Sequence, residues 1–444
     1  MKRLGTTKAV LLTTIAGGAV ALVCGLPAHA GGFGLREGSA DWLGTAFAGD
    51  QAKAYDASTV WSNPAGMALL NNDEIDGDVS VIAPDTKFSG HASNPLTPGV
   101  NTSGGQGGNS IAAAATGATF GVMTLGPNWR LGFSVTSPFG ERVSYPGDFV
   151  GRYQSLVSSI TDINFGLAAS YKINDQLSVG GGPNFDYFQA RLTQNLNVPA
   201  LSALTGQDPV ADVHGNDLGV GYNLGVLYQP DDSTRIGIDY RSRIRHNING
   251  AQTISIPAIY SVLSPGTAGL LAEANSRATT SITLPDSLGI GVYQQLTPAW
   301  SVMGSLEWTD WSLFNKLDIT ATNGSGSTII RENWRDTWFA GIGTNYQVTD
   351  ALMVQAGVAY DQSPVTSSDR TTRVPDADHY DVGAGVQYQV LPSTRLELAY
   401  GHVFTHGGGI KNTASTSPIT PSGTITGRYA DSDNSVTAGV NVKF

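Results

Sequence analysis

Alternation of apolar and polar residues is the feature that most restricts how this chain can fold. Between Ser435 and Phe444 every second residue is apolar, and the residues in between are polar or glycine. The same alternation recurs in residues 217–228, 338–348 and 380–390. Because successive side chains of a β-strand point to opposite faces, each segment predicts a strand with one apolar and one polar face. A soluble sandwich also alternates, but the length of these segments and the aromatic residues near their ends favour a membrane barrel.

Fourteen such segments can be counted along the chain. They are residues 74–84, 112–125, 128–137, 160–173, 176–196, 216–229, 233–254, 278–296, 299–321, 326–348, 351–361, 378–391, 394–405 and 434–444. An even number is expected of a single-chain bacterial barrel, in which short turns face the periplasm and long loops face outwards. We therefore predict an all-β fold, a 14-stranded antiparallel transmembrane β-barrel over residues 73–444, with both chain ends in the periplasm.

Residues 1–30 have the pattern of a secretory signal peptide. A basic start is followed by the apolar run Val10–Leu26, and Ala28–Ala30 fits a small-residue cleavage site. The alternative is an uncleaved membrane anchor, which is less favoured because two glycines and Pro27 leave the run shorter than the ~20 residues of a spanning helix. A cleaved signal and a barrel together predict the outer membrane of a bacterium.

Composition argues against several other classes of protein. Removal of residues 1–30 takes away three of the 25 basic residues and none of the 36 acidic residues, which leaves a net charge of −14. Such acidity argues against nucleic-acid binding, whose affinity comes mainly from Lys and Arg on phosphates. The single cysteine, Cys24, lies in the predicted signal peptide, so we predict no disulfide and no cysteine-bound metal in the mature protein.

The segment Gly31–Leu70 lacks the alternation and precedes all of the predicted strands. Fourteen strands enclose a lumen too wide for their own side chains to fill, so the lumen is either an aqueous channel or plugged. We predict that residues 31–72 form a helical plug inside the barrel. Within it, Asn63 is expected to cap a short helix that has Pro64 in its first turn, and Asn63, Pro64, Ala65 and Gly66 are the candidate gate residues. The alternative, a disordered periplasmic tail, would leave its many aromatic and aliphatic residues exposed.

Several strings of residues are informative beyond their polarity. They are DASTVWSNPAG (Asp56–Gly66), SPFGERVSYPGDFVGRY (Ser137–Tyr153), LPDSLGIGVYQQL (Leu284–Leu296), EWTDWS (Glu307–Ser312), NWRDTWFAGIGTNY (Asn333–Tyr346), YDQSPV (Tyr360–Val365) and VPDADHY (Val374–Tyr380), with Phe444 at the end. In this order they resemble the FadL-type outer-membrane transporters of long-chain fatty acids and other hydrophobic compounds, whose amino-terminal plug is called the hatch. The resemblance covers essentially the whole mature chain.

The resemblance implies passive uptake of long-chain fatty acids or similar hydrophobic molecules through a plugged barrel with a lateral exit. Members of the family differ in cargo, so uptake of aromatic hydrocarbons is an alternative, and a general porin is another. The expected partners are the hydrophobic cargo, outer-membrane lipid and the barrel-assembly machinery, which would recognise Phe444. We expect a monomer.

Two long loops carry apolar residues that a loop in water would avoid. They are Leu201 and Leu204 in the first loop, and Ile256, Ile259, Tyr260, Val262, Leu263, Leu270 and Leu271 in the second. Exposed apolar patches often mark binding sites, and the resemblance implies a hydrophobic landing groove here. The alternative is simple packing of the loops.

A fatty acid requires an apolar tunnel for its tail and a cation or donors for its carboxylate. Arg241 and Arg243 lie two residues apart in a strand segment, on the same predicted face as Asp239, so they should face the lumen or rise above the membrane. The resemblance implies Arg191 and Arg331 as further candidates. The alternative for every one of these arginines is an interior salt-bridge network.

The third predicted strand ends abruptly at Pro138, which has no amide donor, and at Gly140. An interrupted ladder is what a sideways exit into the bilayer would need, and the resemblance implies a kink in this strand. The alternative is an ordinary strand end.

Catalytic motifs are scarce. The chain has no HExxH, no GxSxG and no GxxxxGK string. We therefore predict no catalytic residues, no cofactor and no metal site. An outer-membrane lipase or protease is the alternative from another functional class, and it would need a Ser/His or Asp/His group at the rim.

Overall fold

The computed structural model describes residues 31–94, 100–413 and 422–444, and every structural statement concerns these ranges. The predicted signal peptide, with Cys24, lies outside the described residues. Among those residues, no helix is both long and apolar enough to cross a membrane.

Fourteen strands, five of them in two pieces, form one antiparallel sheet. They are β1 (Glu74–Pro84), β2 (Ala114–Thr124), β3 (Trp129–Thr136 and Gly140–Ser144), β4 (Val157–Lys172), β5 (Leu177–Asn195), β6 (Val210–Asp231), β7 (Thr234–Arg241 and Ile244–Ser255), β8 (Ser276–Leu284 and Ser287–Thr297), β9 (Trp300–Thr309 and Lys316–Ala321), β10 (Ser327–Arg331 and Thr337–Gln347), β11 (Leu352–Asp361), β12 (His379–Leu391), β13 (Thr394–Thr405) and β14 (Ser432–Lys443). The sheet closes because β1 pairs with β14 from Glu74↔Lys443 to Pro84↔Asp433. The predicted 14-stranded barrel is confirmed.

The two faces of the strands have the polarity of a membrane barrel. In β14 the apolar Val436 and Val440 are exposed on the outside, whereas Ser435, Thr437 and Asn441 are buried on the inside. A soluble sheet buries its apolar face, so this inverted pattern requires lipid around the barrel. The alternation in the sequence therefore identified both the strands and the direction in which they face.

Residues 31–70, which we call the amino-terminal segment, lie against the inner face of the sheet. The segment contains α1 (Ala40–Gly44), α2 (Asp50–Lys53), α3 (Thr59–Ser62) and a 3₁₀ helix (Pro64–Leu69). Trp42, Phe47 and Met67 are buried there. Burial of these side chains in the lumen, rather than any long helix, accounts for the compact path of the segment.

The two ends of the barrel differ in their connections. Strands at the end that holds both Glu74 and Lys443 are joined by short turns, such as the one between Asp231 and Thr234. Longer connections at the other end carry α4 (Pro199–Thr205), α5 (Ala258–Leu263) and α6 (Pro265–Glu273). Predicted short turns thus coincide with the observed ones.

A small three-stranded sheet lies beside the long connections and was not predicted. It consists of Lys87–Ala92, Gly409–Thr413 and Thr424–Ala430. Aromatic residues of the connection between β3 and β4 pack against it: the Tyr145 ring stacks on Phe149 with centroids 4.0 Å apart, and the Tyr145 hydroxyl lies 2.8 Å from that of Tyr429 in the sheet. These strands are five to seven residues long, and their pairing joins the two ends of the sequence, so local alternation could not reveal it.

Candidate functional site

Asn63 joins the amino-terminal segment to the barrel wall. Its side-chain oxygen accepts a hydrogen bond from the Ala65 amide (3.1 Å), as a helix cap does, and Pro64 occupies the first turn of the 3₁₀ helix. Its side-chain nitrogen donates to the carbonyl oxygens of Gln51 (2.7 Å) and Val226 of β6 (3.1 Å). One side chain therefore caps a helix, links two parts of the segment and bonds to the wall.

Ala65 and Gly66 are placed by small side chains around them. The Ala65 carbonyl accepts from the hydroxyls of Ser170 (3.3 Å) and Ser178 (2.9 Å), which lie on β4 and β5. A Cβ atom at Gly66 would lie 2.2 Å from the Thr59 hydroxyl oxygen. The string Asn63–Gly66 is thus a docking element between the segment and three strands, and its role as a gate stays a prediction.

A row of glycines on the inner face receives α1 and the turn after it. Gly343, Gly357, Gly383 and Gly401 are paired side by side on β10 to β13. A Cβ atom at Gly357 would lie 1.9 Å from the Thr45 carbonyl oxygen, so only glycine lets the two backbones approach this closely. Two inward-facing amides fix the same region, since Gln355 and Gln387 donate to one oxygen of Asp41 (2.8 and 2.9 Å).

Several charged residues of the amino-terminal segment are paired across short distances. The Lys53 ammonium lies 3.0 Å from Asp41 and 2.8 Å from Asp50. Arg36 reaches the wall, 2.9 Å from Glu307 and 3.2 Å from Asp361. Because buried charges are tolerated when they are paired and hydrogen-bonded, these contacts stabilise the segment in one position.

An apolar cavity lies between the amino-terminal segment and β4 to β9. Its empty volume is about 720 Å³ including the part open to solvent. Its apolar lining includes Phe188, Leu192, Ile248, Ile282, Phe314 and Ile319. An aliphatic or aromatic ligand could be removed from water there.

Three ionisable side chains, those of Arg373, Glu332 and His214, line this cavity. Arg373 is 5% exposed and donates through Nη2 to the Gln154 carbonyl (2.6 Å) and the Gln194 side chain (2.7 Å). Its Nη1 has no hydrogen-bond partner among the described residues. Burial lowers the pKa of the Arg373 guanidinium to about 10, against the opposing effect of Glu332, so it is still charged at neutral pH. A buried, charged donor without an acceptor suits an anionic ligand group.

Phe33 of the amino-terminal segment closes the inner side of the apolar cavity. It is almost completely buried, and its ring centroid lies 5.0–5.9 Å from those of Phe139, Trp311, Phe314 and Trp334. Gly32, which precedes it, has a left-handed backbone (φ 76°), and a Cβ atom there would lie 2.6 Å from the Trp334 ring. The path of the segment therefore depends on glycine at this point.

A second, polar cavity lies on the other side of Phe33. It has an empty volume of about 970 Å³ including open solvent, and its lining includes Arg36, Arg241, Glu307 and Asp361. Pro138 and Phe139, which lie where β3 is interrupted, also line it.

The interruption of β3 at residues 137–139, which we call the strand break, leaves part of the ladder unpaired. β2 pairs with β3 from Thr119 to Thr124 only, whereas on its other edge residues 114–122 pair with β1. In place of β2, the amino-terminal segment bonds to the break: Leu35 N–H donates to the Pro138 carbonyl (2.8 Å), and Gly140 N–H donates to the Phe33 carbonyl (2.9 Å). Pro138 and Gly140 thus flank a gap in the wall that the segment covers.

The four predicted arginines lie apart from the apolar cavity. Arg191 is exposed and paired with Asp212 (2.6 Å), and Arg331 is exposed on β10. Arg241 lies in the polar cavity, with its guanidinium 3.4 Å above the Trp61 ring. Arg243 is exposed beside Asp286 (3.0 Å). Arg241 and Arg243 do not share a face, because β7 is interrupted between them and the alternation changes phase.

Arg373 was missed by sequence reasoning for a local reason. It lies in a connection between β11 and β12 rather than on a strand, and it directly precedes the string VPDADHY. The basic residues were sought on strands, so the only available signal was this proximity to a string shared with relatives.

The predicted landing residues divide into two groups. Tyr260 is fully buried, and its hydroxyl donates to the Gln207 carbonyl (2.8 Å). Leu201 and Ile256 are half-buried against the same cluster. Leu204, Ile259, Leu263 and Leu270 are exposed, together with Val262. The first group holds the loops together, and the second forms an apolar surface on α4 to α6.

Comparison with known proteins identifies the group to which this chain is similar. A family model described as outer membrane protein transport protein (OMPP1/FadL/TodX) matches residues 21–444. The long-chain fatty acid transport protein of Escherichia coli strain CFT073 is 28% identical over 419 residues, which cover 89% of this chain and 91% of that protein. The 47 kDa outer membrane protein of Pasteurella multocida is 29% identical over 411 residues, which cover 90% and 92%.

Solved structures agree on the fold. A FadL homologue of Pseudomonas aeruginosa superposes with a TM-score of 0.84 at 24% identity, covering 93% of this chain and all of that one. The Pseudomonas putida toluene transporter TodX gives 0.65 at 16% identity, covering 93% and 99%. The family match extends over nearly the whole chain and describes transport across the outer membrane, not catalysis. This chain belongs to the OMPP1/FadL/TodX family of outer membrane transport proteins.

Proposed function

We propose that this protein takes up long-chain fatty acids, or amphipathic acids like them, across the outer membrane. The observation that carries the proposal is the unpartnered Nη1 of Arg373 beside a largely apolar cavity. A carboxylate would supply the missing acceptor, and an alkyl tail would fill the apolar space. The names of the fatty acid transport proteins among the relatives agree with this choice.

The tail and the head group would contribute differently to binding. Each buried methylene contributes about 0.8 kcal/mol as an upper figure, so a long tail supplies most of the affinity. The Arg373 guanidinium orients the molecule. A monoaromatic hydrocarbon, the cargo named for TodX, would fit the apolar lining but would leave the guanidinium without an acceptor.

Binding to purified protein in mild detergent would distinguish these cargoes. We expect oleate to bind and to compete with its own saturated analogues, and toluene to bind much more weakly. Isothermal titration calorimetry with each compound is the measurement. Tight toluene binding without oleate binding would replace the proposal with the hydrocarbon alternative, and steady ion conductance in planar bilayers would favour a porin.

The route that we propose starts on the exposed apolar surface of α4 to α6 and passes through the apolar cavity to Phe33. Movement of the amino-terminal segment at Phe33–Leu35 would open the strand break beside Pro138. Cargo would then leave sideways into the bilayer, since an apolar molecule gains nothing from an aqueous exit.

Replacing Val262 and Leu270 with serine is expected to reduce oleate uptake several-fold at limiting concentration and little at saturation. These side chains are 74% and 69% exposed, so the change removes capture surface without emptying a core. Initial rates over a range of oleate concentrations are the measurement. Leu391→Ser, at an exposed leucine that ends β12 beside a short turn at the other end of the barrel, is the matched control. An equal loss at all concentrations would contradict a landing groove.

A disulfide between Gly34→Cys and Phe139→Cys is expected to reduce uptake several-fold, with recovery after reduction. These two residues form a bridge between the segment and the strand break, so their backbones are close enough for a disulfide. Radiolabelled oleate uptake before and after dithiothreitol is the measurement. Each single cysteine variant is the control, and full uptake by the oxidised double variant would argue against an exit at this point.

A further inference from the structure

A group of buried acidic residues joins the amino-terminal segment to two strands. The group is separate from the apolar cavity and differs from it chemically. Asp56 precedes α3, Asp76 lies on β1 and Glu397 on β13. All three are buried, and Asp76 is fully inaccessible. One carboxylate oxygen from each lies within 4.8 Å of the others.

A nearby arginine balances only part of the negative charge of these three carboxylates. Arg395 lies 2.7 Å from an oxygen of Asp56 and 2.7 Å from an oxygen of Glu397. When ionised, three carboxylates beside one guanidinium carry an excess of two negative charges at a buried site. Buried, uncompensated charge is very costly, and a divalent cation would balance this excess.

Several carboxylate oxygens of this acidic group lack hydrogen-bond donors. Within the part of the chain that the structure describes, neither oxygen of Asp76 has a hydrogen-bond partner, and the second oxygen of Glu397 has none. The neighbouring carboxylates differ: Glu74 accepts from Asn441 (3.2 Å), and Asp78 accepts from the Ala40 amide (2.9 Å). Donors from β14 and from the amino-terminal segment thus reach the carboxylates two residues before and after Asp76, but not Asp76 itself.

A neutral residue gives the same indication independently of the acidic ones. Asn441 on β14 is fully buried and is paired with Asp76 on one side and Arg395 on the other. Its side-chain oxygen has no donor. An amide oxygen beside carboxylate oxygens is the ligand set that Ca²⁺ prefers, whereas Mg²⁺ demands stricter octahedral geometry and retains its waters.

We propose that Ca²⁺ binds between Asp56, Asp76 and Glu397, with the Asn441 side-chain oxygen as a further ligand. The ion links the amino-terminal segment to β1, β13 and β14. This site is separate from the cargo cavity, and the proposal of a calcium site does not depend on which molecule is transported.

The test uses the full mature protein in mild detergent after treatment with EGTA and exchange into chelator-free buffer. Titration with CaCl₂ should show one site per chain, and elemental analysis after dialysis against CaCl₂ should find one calcium per chain. CaCl₂ should also raise the thermal unfolding temperature, and MgCl₂ should do so less. No bound calcium in the wild-type protein would overturn the proposal, and this result does not depend on any variant.

Asp76→Asn removes one ligand charge while preserving shape. We expect it to weaken calcium binding at least 10–100-fold, the range seen when even outer-shell partners of a metal are lost, and to abolish the calcium-dependent rise in unfolding temperature. Asp318→Asn, at an exposed aspartate beside Lys316, is the control and should bind calcium as the wild type does. Equal binding by Asp76→Asn would overturn the proposal, and a shared proton would then account for the group.

Discussion

Replacing Arg373 with methionine is expected to weaken oleate binding about 10- to 100-fold. A hydrogen bond to a charged group contributes about 1.5–3 kcal/mol, and each 1.4 kcal/mol is tenfold in affinity. Methionine keeps an unbranched apolar side chain of similar length, so the cavity should keep its shape while losing the donor. Calorimetric titration of the variant with oleate, and uptake of radiolabelled oleate by cells, are the measurements.

The control for this variant is Arg191→Met. Arg191 is exposed and paired with Asp212, outside the apolar cavity, so oleate affinity should change less than twofold. An uncharged ligand of equal tail length, such as oleyl alcohol, should bind wild type and Arg373→Met alike. If Arg373→Met bound oleate as tightly as the wild type, the assignment of Arg373 to the cargo carboxylate would be wrong. The hydrocarbon alternative would then be favoured.

A second large effect is expected from Gly357→Ala. The added Cβ atom would lie 1.9 Å from the Thr45 carbonyl oxygen and 2.2 Å from its carbon. Both are backbone atoms, so movement of a flexible side chain cannot relieve the clash. Overpacking of this kind costs about 1–3 kcal/mol, and it falls on the contact between segment and wall rather than on the strand ladder. The segment should therefore loosen while the barrel stays folded.

Two measurements follow the segment separately from the barrel. Limited proteolysis should cut within residues 31–70 faster in Gly357→Ala, and single-channel recordings should show open events that the wild type lacks. Gly77→Ala is the matched control, because Gly77 is also a strand glycine but has open space where its Cβ atom would be. Unchanged proteolysis and silent recordings for Gly357→Ala would contradict the view that the segment obstructs the lumen.

The barrel could be predicted from the sequence because the pattern that determines it is local. Whether a residue such as Val436 or Thr437 faces lipid or lumen depends on its parity along one strand, and the environment on each side is uniform. The cap at Asn63 was also predictable, because the capping oxygen and the Ala65 amide are two residues apart.

The cargo cavity could not be predicted from the sequence in the same way. Phe33, Leu192, Phe314 and Arg373 come from four distant parts of the chain and meet only after the sheet closes. Arginine candidates chosen by parity failed to meet there because interruptions such as the one in β7 change the phase of the alternation. In the loops, Tyr260 and Val262 are equally apolar by sequence, but packing of α5 buries one and exposes the other.

By itself the sequence determined the strand pattern, the orientation of the strand faces and the membership of a transport family. Those properties follow from residue parity and from strings of neighbouring residues. Only the tertiary structure decided which cation faces the apolar cavity, which apolar residues remain exposed and which carboxylates are left without donors. Each of these depends on contacts between residues tens to hundreds of positions apart, and closure of the barrel is what brings such residues within a few ångströms of each other.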